Sequence, residues 1–278
     1  MGIYNNKGWL LQGAYKADGT SLSVPYDGNG DAVPFDVFRA VANVFELPAY
    51  TTSGIFQGGC TDGEYIYQIC FDNSLYTTGR FIKYKISDGS VTTKSFDASI
   101  PYTHGNDMTF NPNNGHLYVA AMSADGAVME LDTDFNYITT HYVVGKNGNP
   151  YAVWSLCFDR ITNRFYSENG DDEAIYDENL NYIGFAEAPT RPSATAQGQE
   201  TDGKYIYRVF YNPNTIEVST IDGEFVRSIS LPITGEPETL MYNWGNGDYY
   251  VPTNSSTTRF YEVELKEPPY PNMPDDNS

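Results

Sequence analysis

Five residues of this chain fall in register when its internal repeats are superposed: Gln57, Asn106, Trp154, Gln197 and Glu238. Three amides, an indole and a carboxyl group gathered at one point could hold a sugar, the ring by stacking and the amides by hydrogen bonds to hydroxyls. They could equally pair with backbone groups and waters along a channel, as buried polar groups usually do. The following residue in each repeat is Gly58, Asp107, Ser155, Gly198 or Thr239, which brings a second acid to the same place. Glycoside hydrolysis needs two facing carboxyl groups, ~5–5.5 Å apart for retention and ~6.5–9.5 Å for inversion. If the chain is an enzyme, Asp107 and Glu238 are its candidate catalytic pair, with Glu200 a weaker third.

The elements that would position these residues are legible as a repeat. A polar turn leads five times into a short run ending in tyrosine, at Ile66-Tyr67, Leu117-Tyr118, Phe165-Tyr166, Ile206-Tyr207 and Tyr249-Tyr250. The second tyrosines are 51, 48, 41 and 43 residues apart. Strand–turn–strand units on such a period indicate a propeller or solenoid, and all-β units favour the propeller. Further strand signals follow in each unit, with turns such as Ser87-Asp88-Gly89 and Asp222-Gly223. Asp-Gly between alternating runs is a strong hairpin signal. The expected fold is an all-β, five-bladed β-propeller at residues 37–266.

The fifth unit lacks a fourth strand. After Arg259–Val263 comes only the Pro-rich acidic tail of residues 267–278. The run Val44-Phe45-Glu46-Leu47-Pro48 is similar to Ser228-Ile229-Ser230-Leu231-Pro232, an outer strand of the fourth unit. The segment near residues 40–48 is therefore expected to supply the outer strand of the last blade and close the ring, removing an open edge. Residues 1–36 read as an extended arm. Tyr15-Lys16-Ala17-Asp18-Gly19 is echoed by Tyr26-Asp27-Gly28-Asn29-Gly30, with too few apolar residues for a core.

This arm resembles the short Tyr-Asp-x-x-Gly repeats of phage and prophage structural proteins associated with tails or fibres. The ring resembles the broad NHL/quinoprotein-like group of propellers in its Asp-Gly and Asn-Pro-x-x-Gly turns. Together the resemblances imply a non-enzymatic structural or adhesive protein of a bacteriophage virion or tail. Its arm would bind other virion subunits, and its disc would present loops to a host glycan or protein for attachment. The alternatives are a glycan-active enzyme and a free carbohydrate-binding module. Five-bladed glycan-cleaving families place acids on several successive blades, whereas Gln57 and Trp154 stand at two of those places here.

Composition narrows the classes. With 36 acidic against 16 basic residues the formal charge is −20, so phosphate backbones and anionic membranes are repelled and nucleic-acid binding is not expected. No apolar stretch approaches the ~20 residues of a membrane span. Met1–Lys7 lacks the layout of a signal peptide, so synthesis in a cytoplasm is expected, and the phage resemblance implies residence in the virion. Cys60, Cys70 and Cys157 lack metal-type spacing and read as reduced packing residues. His104, His116 and His141 accompany no nucleophile elbow, and His116 reads as a solvated turn residue. Asp27–Asp31 opens like a calcium loop but has Ala32 and Phe38 where glycine and glutamate belong, so it reads as a turn. Asp171-Asp172-Glu173 reads as a charged loop tip. No metal and no cofactor are expected.

Overall fold

The computed structural model describes residues 40–50, 52–72, 74, 76, 78–101, 104–169, 172–187, 195–255 and 259–265. The chain divides into two units, one of Met1–Val41 with Lys266–Ser278 and one of Ala42–Leu265. In the first only the two-residue strand Ala40–Val41 is described; the expected arm, its calcium-like loop and the tail lie outside the described residues. The second unit is the ring, and its described residues contain strands and no helix.

Five antiparallel sheets form five blades. The first comprises Ile55–Thr61, Tyr65–Phe71, Gly79–Lys85 and Val91–Ser95, from axis to rim. The second comprises Asp107–Asn111, His116–Ala120, Ala127–Leu131 and Tyr137–Tyr142. The third comprises Ser155–Asp159, Arg164–Glu168, Asp172–Tyr176 and Tyr182–Glu187. The fourth comprises Thr195–Thr201, Tyr205–Tyr211, Thr215–Thr220 and Phe225–Ser230. In the fifth the inner strand is broken into Glu236–Pro237 and Met241–Tyr242, followed by Tyr249–Asn254 and Arg259–Glu264. Its outer strand is Asn43–Glu46, paired with Arg259–Glu264 from Asn43 opposite Glu264 to Glu46 opposite Tyr261. The chain therefore closes its ring with its own early strand, as the sequence leads one to expect.

The repeated turn explains the repeated tyrosine. Asp62 Oδ1 accepts the Glu64 and Tyr65 N–H groups at 2.9 and 2.8 Å, and its Oδ2 accepts the Tyr67 hydroxyl at 2.6 Å. Asp202 repeats the arrangement with Lys204, Tyr205 and Tyr207. One aspartate thus shapes the hairpin through an Asx turn and anchors a ring packed between blades. The glycine after each, Gly63 at φ +99° and Gly203 at φ +84°, takes a conformation that a side chain disfavours.

Aromatic and aliphatic side chains fill the seams between blades. Tyr67, Phe71, Phe81, Leu117, Met129 and Phe135 pack at the seam of the first two blades, with Phe81 and Phe135 stacked 4.9 Å apart. The seam of the third and fourth holds a small apolar cluster, Cys157, Tyr166 and Ile206, beside a buried polar network. All three cysteines are free and buried.

Candidate functional site

The innermost strands converge on the axis, where the second tyrosine of each repeat supplies a common reference. Cys60, Thr109, Cys157, Glu200 and Met241 pair with Tyr67, Tyr118, Tyr166, Tyr207 and Tyr250. Two residues earlier on each strand stand Gly58, Asp107, Ser155, Gly198 and Thr239, all buried. One residue earlier again stand Gln57, Asn106, Trp154, Gln197 and Glu238.

Asp107 is the hub of this ring. Its Oδ1 accepts the Met108 N–H at 2.9 Å, and its Oδ2 accepts the Leu156 and Gln199 N–H groups at 3.1 and 3.0 Å. The Thr239 hydroxyl also bonds to the carboxylate. A methyl group on Gly58 would sit 2.4 Å from Asp107 Cα, and one on Gly198 would sit 2.3 Å from Thr239 Oγ1 and 2.7 Å from Asp107 Oδ1. Glycines at these two places let two blades approach the carboxylate. Burial pushes the Asp107 pKa up to about 7 against the pull of its hydrogen bonds. Glu200, further along the axis, accepts the Thr201 and Tyr242 N–H groups, and burial raises it to about 8.

In the next layer, one residue earlier on each inner segment, the amides are already oriented. Gln57 donates to Phe56 O at 2.9 Å and to Glu238 Oε2 at 3.3 Å. Asn106 donates to Trp154 O at 2.6 Å. Gln197 donates to Glu236 Oε1 at 2.8 Å, and Asn254 donates to Glu236 Oε2 at 3.3 Å. Trp154 keeps 37% of its surface exposed, while Glu238 keeps 1%. Glu238 Oε1 has no hydrogen-bond partner. Burial first, then the nearby Glu236 and Asp107, hold the Glu238 carboxyl well above the usual carboxylate range.

Three side-chain groupings escaped the sequence reading. Glu173, expected at a charged loop tip, is 1% exposed within the strand Asp172–Tyr176. Its carboxylate pairs with Arg208 Nη2 and accepts the Gln199 amide at 2.7 Å. Arg208 Nε lies 2.6 Å from Glu168, and Arg208 Nη1 donates to Ser219 at 2.7 Å. A buried guanidinium drew the loop-tip acid inward, which a single charge-rich tripeptide could not reveal. His116, expected in a solvated turn, opens a strand and lies 2.6 Å from Glu130 Oε1, while His141 lies 2.7 Å from Oε2. Tyr76 stacks on His104 at 4.3 Å, and burial lowers the His104 pKa.

Comparison with known proteins supports the fold. No known protein family matches the chain, and no curated protein matches it by sequence. Among solved structures, a glutaminyl cyclase from Myxococcus xanthus superposes with a TM-score of 0.63 at 14% identity, over 82% of this chain and 98% of that one. A Bacteroides thetaiotaomicron protein of unknown function gives 0.51 at 10% identity, over 81% and 76%. Regucalcin from Agrobacterium tumefaciens, described as calcium-binding, gives 0.49 at 11% identity, over 79% and 96%. At such identities the first two likenesses show a shared fold alone, and function must be argued from the site.

Proposed function

We propose that the chain is a non-catalytic recognition propeller whose channel mouth binds a glycan. The supporting observation is the mouth itself. Gln57, Asn106 and Gln197 are held by hydrogen bonds before any ligand arrives, in register with Trp154, which keeps 37% of its surface exposed. Fixed side chains lose little entropy on binding, and an indole face with fixed polar groups suits a sugar ring. Hydrolysis is supported less well, because the carboxylate oxygens of Asp107 already accept three backbone N–H groups. A base engaged in this way does not activate water or attack an anomeric carbon.

In this reading the disc is carried by an assembly, such as a phage particle or tail, through residues 1–36. The support is the resemblance of Tyr15–Gly19 and Tyr26–Gly30 to the Tyr-Asp-x-x-Gly repeats of such proteins. The test of recognition is a glycan microarray probed with the purified chain, followed by calorimetry on the strongest ligands. Trp154→Ala should weaken binding about tenfold or more at an unchanged melting temperature. A chain that retains no glycan, or whose Trp154→Ala variant binds as before, overturns the reading. The assembly role is tested by mass spectrometry of purified particles, where stoichiometric presence is expected and absence overturns it.

A further inference from the structure

We infer that the channel mouth selects glycans carrying free amino groups, binding the sugar's primary ammonium at Glu236 and Glu238. The inference rests on the glycan reading above and narrows it to one ligand class.

The first argument is donor–acceptor balance. Each mouth amide directs its N–H group at the protein: Gln57 to Phe56 O and Glu238, Asn106 to Trp154 O, Gln197 to Glu236. Gln57 engages both of its N–H groups in this way, and Asn106 and Gln197 one each, so what the three amides offer a ligand is mostly carbonyl oxygen, an acceptor. The two carboxyl groups of the fifth blade add further acceptor atoms. No lysine or arginine is among the six residues Gln57, Asn106, Trp154, Gln197, Glu236 and Glu238. A lining richer in acceptors than in donors is complementary to a group that only donates, and an ammonium carries three N–H donors and no acceptor.

The second argument is the unfinished carboxyl. Glu238 is almost completely buried, its Oε2 receives the Gln57 amide, and its Oε1 receives nothing. A buried polar atom without a partner is costly, and an incoming N–H is the partner it lacks. Burial first, and then the neighbouring Glu236 and Asp107, oppose ionisation of Glu238. A cation arriving beside the carboxyl groups works against that opposition, because an adjacent positive charge favours the ionised form. Glu238 then gives its proton to solvent while the ligand keeps its own, and a carboxylate–ammonium pair forms. The half-exposed Trp154 offers an aromatic face, which attracts cations as well as sugar rings.

The experiment compares a glucosamine tetramer with its N-acetylated counterpart by calorimetry at mildly acidic pH, where the free amines are charged. The free-amine tetramer should bind about tenfold tighter or better. Repetition in two buffers of different ionisation enthalpy should reveal proton release on binding. Glu238→Gln should abolish that release, and Glu236→Gln should erase the preference for the amine. If either variant fails to fold, as judged by its melting curve, the comparison on the unaltered protein decides. Equal or tighter binding of the acetylated tetramer overturns the ammonium inference and leaves the glycan reading standing. Binding of neither tetramer, with neutral glycans bound on the array, has the same consequence. Binding confined to a short peptide with a free N-terminus overturns both.

Discussion

The Asp107 carboxyl group accepts N–H groups from the second, third and fourth blades, receives a hydroxyl from the fifth and packs against Gly58 of the first. Its protonation is therefore coupled to the stability of the whole ring. The folded pKa of about 7 lies above the value in an unfolded chain, so the folded state binds the proton more tightly. The resulting stabilisation is complete below the unfolded pKa and is lost as pH rises through the folded one. For a shift of this size the loss is about 4 kcal/mol. Glu200 and Glu238 are raised in the same sense, and the −20 charge adds repulsion at higher pH. Acids lowered by hydrogen bonds, such as Glu130 and Asp132, act oppositely: their stabilisation is lost as pH falls through their folded pKa values. Thermal unfolding followed across pH should therefore show a melting temperature that climbs from mildly alkaline to mildly acidic conditions and falls again in strong acid. Asp107→Asn should flatten the first limb, and a flat profile in the unaltered protein would contradict the argument. Gly58 provides a steric probe of the same hub. Its added methyl would meet backbone at 2.4 Å, which a flexible side chain cannot relieve, so Gly58→Ala should cost about 1–3 kcal/mol or more in denaturant unfolding.

At the scale of the blades, the seam between the third and fourth depends on one guanidinium. Arg208 stands between Glu168 and Glu173 with almost no exposure on any of the three. Removing it leaves two buried carboxyl groups facing each other, so Arg208→Met should destabilise the protein by about 3–5 kcal/mol in urea unfolding. Adding Glu173→Gln to that variant should recover part of the loss, because one uncompensated charge is then gone. If the double variant is no better than the single one, charge is not what the seam depends on. The same seam marks what the sequence could disclose. The strands and hairpins were legible because their signals are local: Asp62 and Asp202 shape turns within five residues of themselves. The register of Gln57, Asn106, Trp154, Gln197 and Glu238 was legible for the same reason, since each lies at a near-constant distance from a repeated tyrosine. What each side chain touches was not. Arg208 meets Glu173 across 35 positions, and Asp107 meets the Gln199 N–H across 92. One missed pattern was available, however. Asp132-Thr133-Asp134-Phe135-Asn136-Tyr137 and Asp177-Glu178-Asn179-Leu180-Asn181-Tyr182 are the same outer turn twice. In each, the aspartate binds two N–H groups and the asparagine amide, and the apolar residue sits at positive φ.

At the scale of the molecule, the closing strand determines whether five blades behave as one cooperative body. Asn43–Glu46 pairs along Arg259–Glu264, the Leu47 N–H continues the ladder to Phe260 O at 2.8 Å, and Arg259 meets Glu46 at 2.8 Å. The strand is only half covered, with Phe45 54% exposed, so apolar burial contributes little to its hold. Its main effect is to cover the backbone groups of an edge that would otherwise be open. Without it, Arg259–Glu264 would present unpaired N–H and C=O groups, a template for pairing with another copy. The link between the ends of the chain would be lost as well, and the fifth blade could open separately from the rest. Two truncations separate these effects from those of the preceding segment. A chain beginning at residue 40 keeps the closing strand and should unfold in one transition at nearly the parent's midpoint. A chain beginning at residue 47 lacks that strand and should unfold earlier and over a broader range. It should also self-associate in sedimentation, and a peptide of residues 40–50 added in trans should suppress that association by covering the edge. If the shorter chain instead unfolds cooperatively as a monomer, the fifth blade is held by its seams with the first and fourth blades, and edge pairing is not what closes the ring.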